Sequence, residues 1–316
     1  MKESTLNIKD EILKKIGDHS FITASAETQK VYFCKEISKD NFDISKYDQY
    51  KKLKNKNILE LRERIPNLEK DEFCCIYSMY CNYGCLLDYL NYRKENQLEI
   101  RENFIRHIIN QIIDGLKYLH NNNISYGNLS LNEIYINNSE DFIRKEDFIK
   151  EKNYLKLSYK NSKIKIQNPI LKKEIIQNGF SSRKFISPEL EAALKENRSL
   201  NNDPKYKADL WSLGIITYQL LILNSDFDYD ELINRIKRHE NIIPSKIRAS
   251  REIIDFINSL LKLNPNERMK LEEIKNHAFL KQKAPDQIEN EIKKLKKEKL
   301  KLQNQISDKL EEILSK

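Results

Sequence analysis

The sequence predicts an α+β fold in two lobes, a small strand-rich front and a larger helical back, with a C-terminal amphipathic or coiled-coil helix behind them. Three patterns predict it. Apolar residues alternate or run in short β-branched stretches as far as Tyr80. Beyond Cys85 their period becomes helical. After Pro285 the composition turns to Lys, Glu, Gln and Leu with almost no aromatic residue.

Taken in order, Met1 to Ser20 is polar and charged, and nowhere do eighteen apolar residues run together, so a cytoplasmic protein with no membrane partner is expected. Phe21 to Ile37 and Glu72 to Tyr80 read as strands. Asn82-Tyr83-Gly84 marks a junction. Phe104, Ile105, Ile108, Ile109, Ile112, Leu116 and Leu119 recur at helical spacing and predict a long buried helix. Asn137 to Asn153 reads as an insertion between two short strands, Glu133 to Ile136 and Tyr154 to Ser158. Further helical patterns cover Asp209–Leu223, Glu231–Arg238, Arg251–Leu261 and Leu271–Leu280. In the tail, Ile288, Ile292, Leu295, Lys299, Leu302, Ile306, Lys309 and Ile313 follow a heptad seam. Two readings fit it: a short self-pairing coiled coil, which the two lysines weaken, or a single amphipathic helix folded back on the globular part. The expected organisation is a front lobe over 10–83, a back lobe over 84–283 and a helical tail over 286–316.

Composition narrows the partners. The net charge is +8, but 48 acidic residues are interspersed with the basic ones, which indicates a solvated surface and no nucleic-acid face. The five cysteines, Cys34, Cys74, Cys75, Cys81 and Cys85, are odd in number and lack paired C-x2-C spacing. Buried reduced thiols are therefore expected in preference to a disulfide framework or a zinc site.

Several motifs carry a resemblance. Ser187-Pro188-Glu189, Asp209-Leu210-Trp211-Ser212-Leu213-Gly214, Asn264-Pro265-Asn266-Glu267-Arg268 with His277-Ala278-Phe279-Leu280, and Gly115-Leu116-Lys117-Tyr118-Leu119-His120 occur in order. They resemble the A-P-E, D-x-W-S-x-G, D-P-x-x-R with H-P-F-L, and G-L-x-Y-L-H segments of eukaryotic protein kinases. The resemblance implies a bilobal protein-kinase-like fold nearest to serine/threonine kinases. It places Lys35 at the V-A-I-K lysine and Ser78 at the gatekeeper position. Met79 and Cys81 then offer hinge backbone groups where kinases hold adenine. It also implies a buried Glu189–Arg268 ion pair and an Asp209 that anchors the catalytic-loop backbone.

The chemistry reads differently. Phosphoryl transfer needs cations on the phosphates, ligands for Mg²⁺ and an acceptor for the hydroxyl proton. The stretch matching H-R-D-L-K-P-x-N is Tyr126-Gly127-Asn128-Leu129-Ser130-Leu131-Asn132-Glu133. Asn128, an amide, replaces the base. Ser130 replaces the phosphate-facing lysine, and Glu133 replaces the metal-binding Asn. The D-F-G position is read at Tyr159-Lys160-Asn161, which leaves no carboxylate there. The glycine-rich loop reads Gly17-Asp18-His19-Ser20-Phe21-Ile22, with only its first glycine in place. The glutamate partner of Lys35 falls by count on Lys46, with Asp43 and Asp48 nearby.

The expectation is a pseudokinase: a non-catalytic scaffold or regulatory protein acting through protein partners, self-association through the tail included. No cofactor is required, no metal is held, and ATP binds weakly if at all. The alternatives are a divergent serine/threonine kinase and a structural component of a cytoskeletal or other large assembly.

Overall fold

A computed structural model describes residues 10–17, 19–38, 44–61, 73–127, 129–137, 163–166, 185–196 and 202–281. The front lobe is an antiparallel sheet in the order β1 (Glu11–Gly17), β2 (Ser20–Ala24), β3 (Val31–Ser38) and β4 (Phe73–Met79). Residues opposite each other across a ladder share a face of the sheet. Phe33 stands opposite Ile22 and Ser78, and Lys35 opposite Ser20 and Ile76, so these form one face. It carries α1 (Ile44–Tyr50), whose Tyr47 packs on Leu61, Ile76 and Ile37. The other face holds Tyr32, Cys34, Cys75 and Tyr77, with the two tyrosine rings edge-on at 6.3 Å. β4 is an interior strand: it pairs with β3 on one side, and on the other the Met79 N–H donates to the Glu60 carbonyl at 2.9 Å. Cys34, Cys75, Cys81 and Cys85 are free thiols.

The back lobe is built round α3 (Glu102–Asn121) and α5 (Asn202–Ile222). The apolar stripe of α3 is fully buried from Ile105 to Leu119. Trp211, Leu213, Ile215, Ile216 and Leu220 of α5 are buried on several faces, as a central helix requires. Glu102, in the first turn of α3, accepts the Ser250 backbone N–H at 2.7 Å and its hydroxyl at 2.6 Å. Ser250 in turn caps α7 (Arg251–Leu260), so the starts of two helices are fastened together. α2 (Leu86–Glu95), α4 (Pro188–Lys195), α6 (Tyr229–Lys237), α8 (Leu271–Ile274) and α9 (Ala278–Lys281) complete the described helices. The architecture is the bilobal α+β fold the sequence predicts.

The lobes meet at a hairpin of β5 (Ile134–Asn137) and β6 (Lys163–Ile166). The Leu59 N–H donates to the Ile166 carbonyl at 2.8 Å, and the Ile166 N–H to the Asn57 carbonyl at 2.7 Å. The Asn57 side-chain amide adds a bond to the Ile164 carbonyl at 2.9 Å. Gly115 makes this approach feasible, because a Cβ there would lie 2.7 Å from Ile166 Cδ1 and 3.2 Å from the Asn57 carbonyl.

This joint corrects the strand reading. The partner of β5 is Lys163–Ile166, not Tyr154–Ser158, and β5 begins at Ile134, because Leu131–Glu133 forms a 3-10 turn. Both candidate partners alternate lysine with apolar residues; the observed one buries Ile164 and Ile166 against the α3 core. The expected strand at 154–158 and the tail at 286–316 lie outside the described residues. Among the described residues no helix is long and apolar enough to cross a membrane.

Candidate functional site

The site sits where the loop after α3 crosses beneath the front sheet. Its base is rigid. Asp209, fully buried at the middle of α5, accepts the Tyr126 N–H at 2.9 Å and the Gly127 N–H at 2.5 Å. His120 Nε2 lies 2.6 Å from the same carboxylate, and its ring stacks at 4.4 Å on Tyr206. Gly127 has φ 85°, a backbone region costly for residues with a Cβ, so a glycine is what lets both N–H groups turn onto Asp209. Further along, Arg268 is 2 % exposed and grips Glu189 through two bonds of 2.6 and 2.7 Å. Its remaining donors reach the Lys207 and Lys262 carbonyls, each at 2.9 Å, and the guanidinium lies 5.1 Å from the Trp211 ring centre. Four hydrogen bonds thus hold the Arg268 guanidinium, the kind of compensation under which a buried pair is tolerated.

The loop supported by that base has different chemistry. Asn128 lies outside the described residues. Ser130 and Glu133 close a capping box on the 3-10 turn: Glu133 Oε2 accepts the Ser130 N–H at 2.8 Å and the Ser130 hydroxyl, while Ser130 Oγ accepts the Asn132 N–H at 3.3 Å. The one acidic side chain of this loop is thus bound back into its own turn. Tyr159 lies outside the described residues. The pairing of β5 with Lys163–Ile166 corrects its register, because the stretch following the paired strand is Gln167-Asn168-Pro169, which also has no carboxylate. Among the described residues no group of three or more His, Cys, Asp or Glu side chains is arranged to hold a metal ion.

Lys35 lies on the sheet face that carries α1. At the alanine position of V-A-I-K, two residues before it, stands Phe33, on the same face. The third-glycine position of the loop above is Ile22, packed on Val31, Leu13 and Tyr80. Gly17 pairs with Ser20 across the β1–β2 turn, and His19 is tied to Glu36 by a 3.1 Å side-chain contact and by a bond from the Glu36 N–H to its carbonyl. Of the residues read as substitutes for the helical glutamate, Asp48 pairs with Lys51 at 3.0 Å, and Asp43 lies outside the described residues. A cavity of about 430 Å³ opens there between α1 and the end of α3, lined by Asp48, Lys52, Leu53 and Ile124, away from the hinge.

The hinge residues are buried. Met79 and Cys81 form a cluster with Leu59, against which Tyr135 of β5 packs. The Met79 N–H is taken by Glu60, and the Cys81 carbonyl accepts the Gly84 N–H at 3.2 Å. Burial pushes the Cys81 thiol up to about 12, with Lys165 opposing the shift, and burial likewise raises the Tyr135 phenol. Sequence reasoning missed Tyr135 and the Ser130–Glu133 cap; the S-x-x-E pattern was the available signal for the second. These residues do not fit a magnesium-bound nucleotide: the phosphate loop keeps only its first glycine, the loop acid is engaged, and Tyr135 packs on the hinge cluster.

Fold and site together define a protein-kinase-like molecule, and comparison with known proteins agrees: the protein kinase domain family matches residues 13–280, so the chain belongs to that family. Within it, the chain is similar to several proteins described as serine/threonine-protein kinases. The probable serine/threonine-protein kinase PLK of Dictyostelium discoideum is 26% identical over 269 residues, covering 82% of this chain and 24% of the relative. Serine/threonine-protein kinase PLK4 of Drosophila willistoni is 29% identical over 180 residues, 56% of this chain and 20% of the relative. The probable cell cycle serine/threonine-protein kinase CDC5 homolog of Encephalitozoon cuniculi is 26% identical over 238 residues, 74% of this chain and 44% of the relative. The chain therefore spans less than half the length of each of these relatives.

Proposed function

We propose that this protein is a pseudokinase, a non-catalytic member of its family that acts as a scaffold or regulatory protein through protein–protein contacts in the cytoplasm. The observation that carries the reading is the capping box: Glu133 is held by Ser130 in a loop whose base position is the amide Asn128. With an amide at the base position and the loop carboxylate engaged in its own turn, the retained fold presents surfaces and performs no phosphoryl transfer in this reading. The heptad tail at 286–316 supplies a helix for docking or self-association, and truncation at Pro285 should change the solution mass if it self-pairs. Neither nucleic acid nor membrane is a partner in this reading. ATP affinity, where present, is weak and rests on the hinge backbone and Lys35.

A second reading, a divergent serine/threonine kinase, is supported by the relatives, which bear that description. One experiment separates them: incubation of the purified protein with radiolabelled ATP, Mg²⁺ or Mn²⁺ and generic acceptor proteins. No transfer above the Lys35→Ala control supports the non-catalytic reading. Transfer that disappears in Lys35→Ala supports the kinase.

A further inference from the structure

The residues a nucleobase would have to touch at the hinge already touch one another. In β5 the alternating side chains Ile134 and Ile136 are fully buried in the back-lobe core. Tyr135, between them, projects from the other face, where it packs on the buried cluster of Leu59, Met79 and Cys81. Lys165 stands directly across the ladder from Tyr135, 4 % exposed. Cys85 bridges to Tyr135 on its other side, so the strand carrying the ring is held from both edges. From the front lobe, Phe33 occupies the face that carries Lys35. Leu61 bridges to Ser78 on the face of Phe33 and Lys35, and Leu59 lies two residues before it, whereas Met79, opposite Tyr32, turns its side chain to the other face; the apolar surface open to a planar base is therefore centred on Leu59, and an aromatic ring of the chain itself packs on its cluster.

We propose that Tyr135 occupies the base-binding slot of the interlobe cleft and determines what the cleft admits. A purine must displace the ring to reach the hinge, and displacement strips Met79, Cys81 and Leu59 of their cover. Removing the ring opens a slot suited to a planar heteroaromatic of purine size. The proposal builds on the non-catalytic reading of this cleft but fails separately from it, because its readout is binding.

The test compares wild type, Tyr135→Ala and Tyr135→Leu by titration with a fluorescent ATP analogue in EDTA. Both variants are expected to bind at least about tenfold more tightly than wild type, a difference of roughly 1.4 kcal/mol. The leucine variant keeps an apolar side chain on the cluster and decides the matter if the alanine variant does not fold. A second readout is alkylation of Cys81 followed by mass spectrometry, expected to be at least about tenfold faster in the folded variants once the cover is gone. Wild-type binding as tight as that of the variants, or folded variants with unchanged binding and unchanged alkylation, would overturn the proposal. The phosphotransfer assay judges the non-catalytic reading on its own.

Discussion

The base of the catalytic loop and the loop itself lie a few residues apart and have opposite characters. Asp209, Gly127, His120, Glu189 and Arg268 form a hydrogen-bonded support, and all but Gly127 fall in the segments that resemble the family's motifs. Directly above it, Ser130 and Glu133 satisfy each other. The contrast teaches that architecture and chemistry are separable here. Groups that hold the back lobe together stabilise the fold with or without catalysis, whereas in the proposed non-catalytic reading groups that would handle phosphate and metal have no packing role. In the front lobe, bulky Phe33 and Ile22 stand at the positions matching the alanine of V-A-I-K and the third loop glycine, and Ile22 and Tyr135 take part in apolar clusters.

The contrast would break most visibly at Arg268. Arg268→Ala leaves the Glu189 carboxylate unpaired and cuts the bonds to the Lys207 and Lys262 carbonyls, and a loss of about 3–5 kcal/mol is expected in urea unfolding. Lys35→Ala, in the cleft, should cost less than about 1 kcal/mol. Equal unfolding midpoints for the two would contradict the separation of roles. A smaller effect is expected at the lobe joint: Gly115→Ala drives a Cβ into Ile166 and the Asn57 carbonyl, an overpacking expected to cost about 1–3 kcal/mol. An unchanged melting temperature there would mean that the lobes are not seated as described.

Within the loop, Ser130→Ala removes one half of the capping box and should cost about 1 kcal/mol with no gain of phosphotransfer. Appearance of metal-dependent activity in that variant would show that Glu133 had been a masked ligand. The smallest effect concerns pH. Because burial raises the Cys81 thiol to about 12 in the folded chain, the unfolded chain loses its proton first as pH rises. The stability contributed by the neutral thiol is therefore complete below the unfolded value of about 8.5 and falls by about 1 kcal/mol by pH 9. Cys81→Ala should flatten that part of the alkaline limb, which a series of chemical denaturations between pH 7 and 9.5 would detect.

How much of this was legible beforehand follows from the range of the interactions. The α3 helix was readable because its period is local, and the Glu189–Arg268 pair because both residues sit in ordered motifs, although they lie 79 positions apart. The partner of β5 was not readable. Leu155-Lys156-Leu157-Ser158 and Lys163-Ile164-Lys165-Ile166 have the same alternation, and the second is selected by tertiary contacts with Asn57 and Gly115 that no local pattern encodes. The residues that could not be matched to the D-F-G motif were misplaced for the same reason. Glu133 could be identified as a replacement, but its engagement by Ser130 depends on the 3-10 turn. Tyr135 was invisible, since an aromatic residue in a short strand gives no sign of which lobe it faces.

The central claim is that the cleft has lost metal-assisted phosphate binding while the support beneath it is intact. Calorimetric titration of the wild-type chain with ATP, once in EDTA and once with excess Mg²⁺, tests this most directly. The account predicts weak or absent heats that are the same in both conditions. A gain in affinity of about tenfold or more on adding Mg²⁺, worth roughly 1.4 kcal/mol, would contradict it.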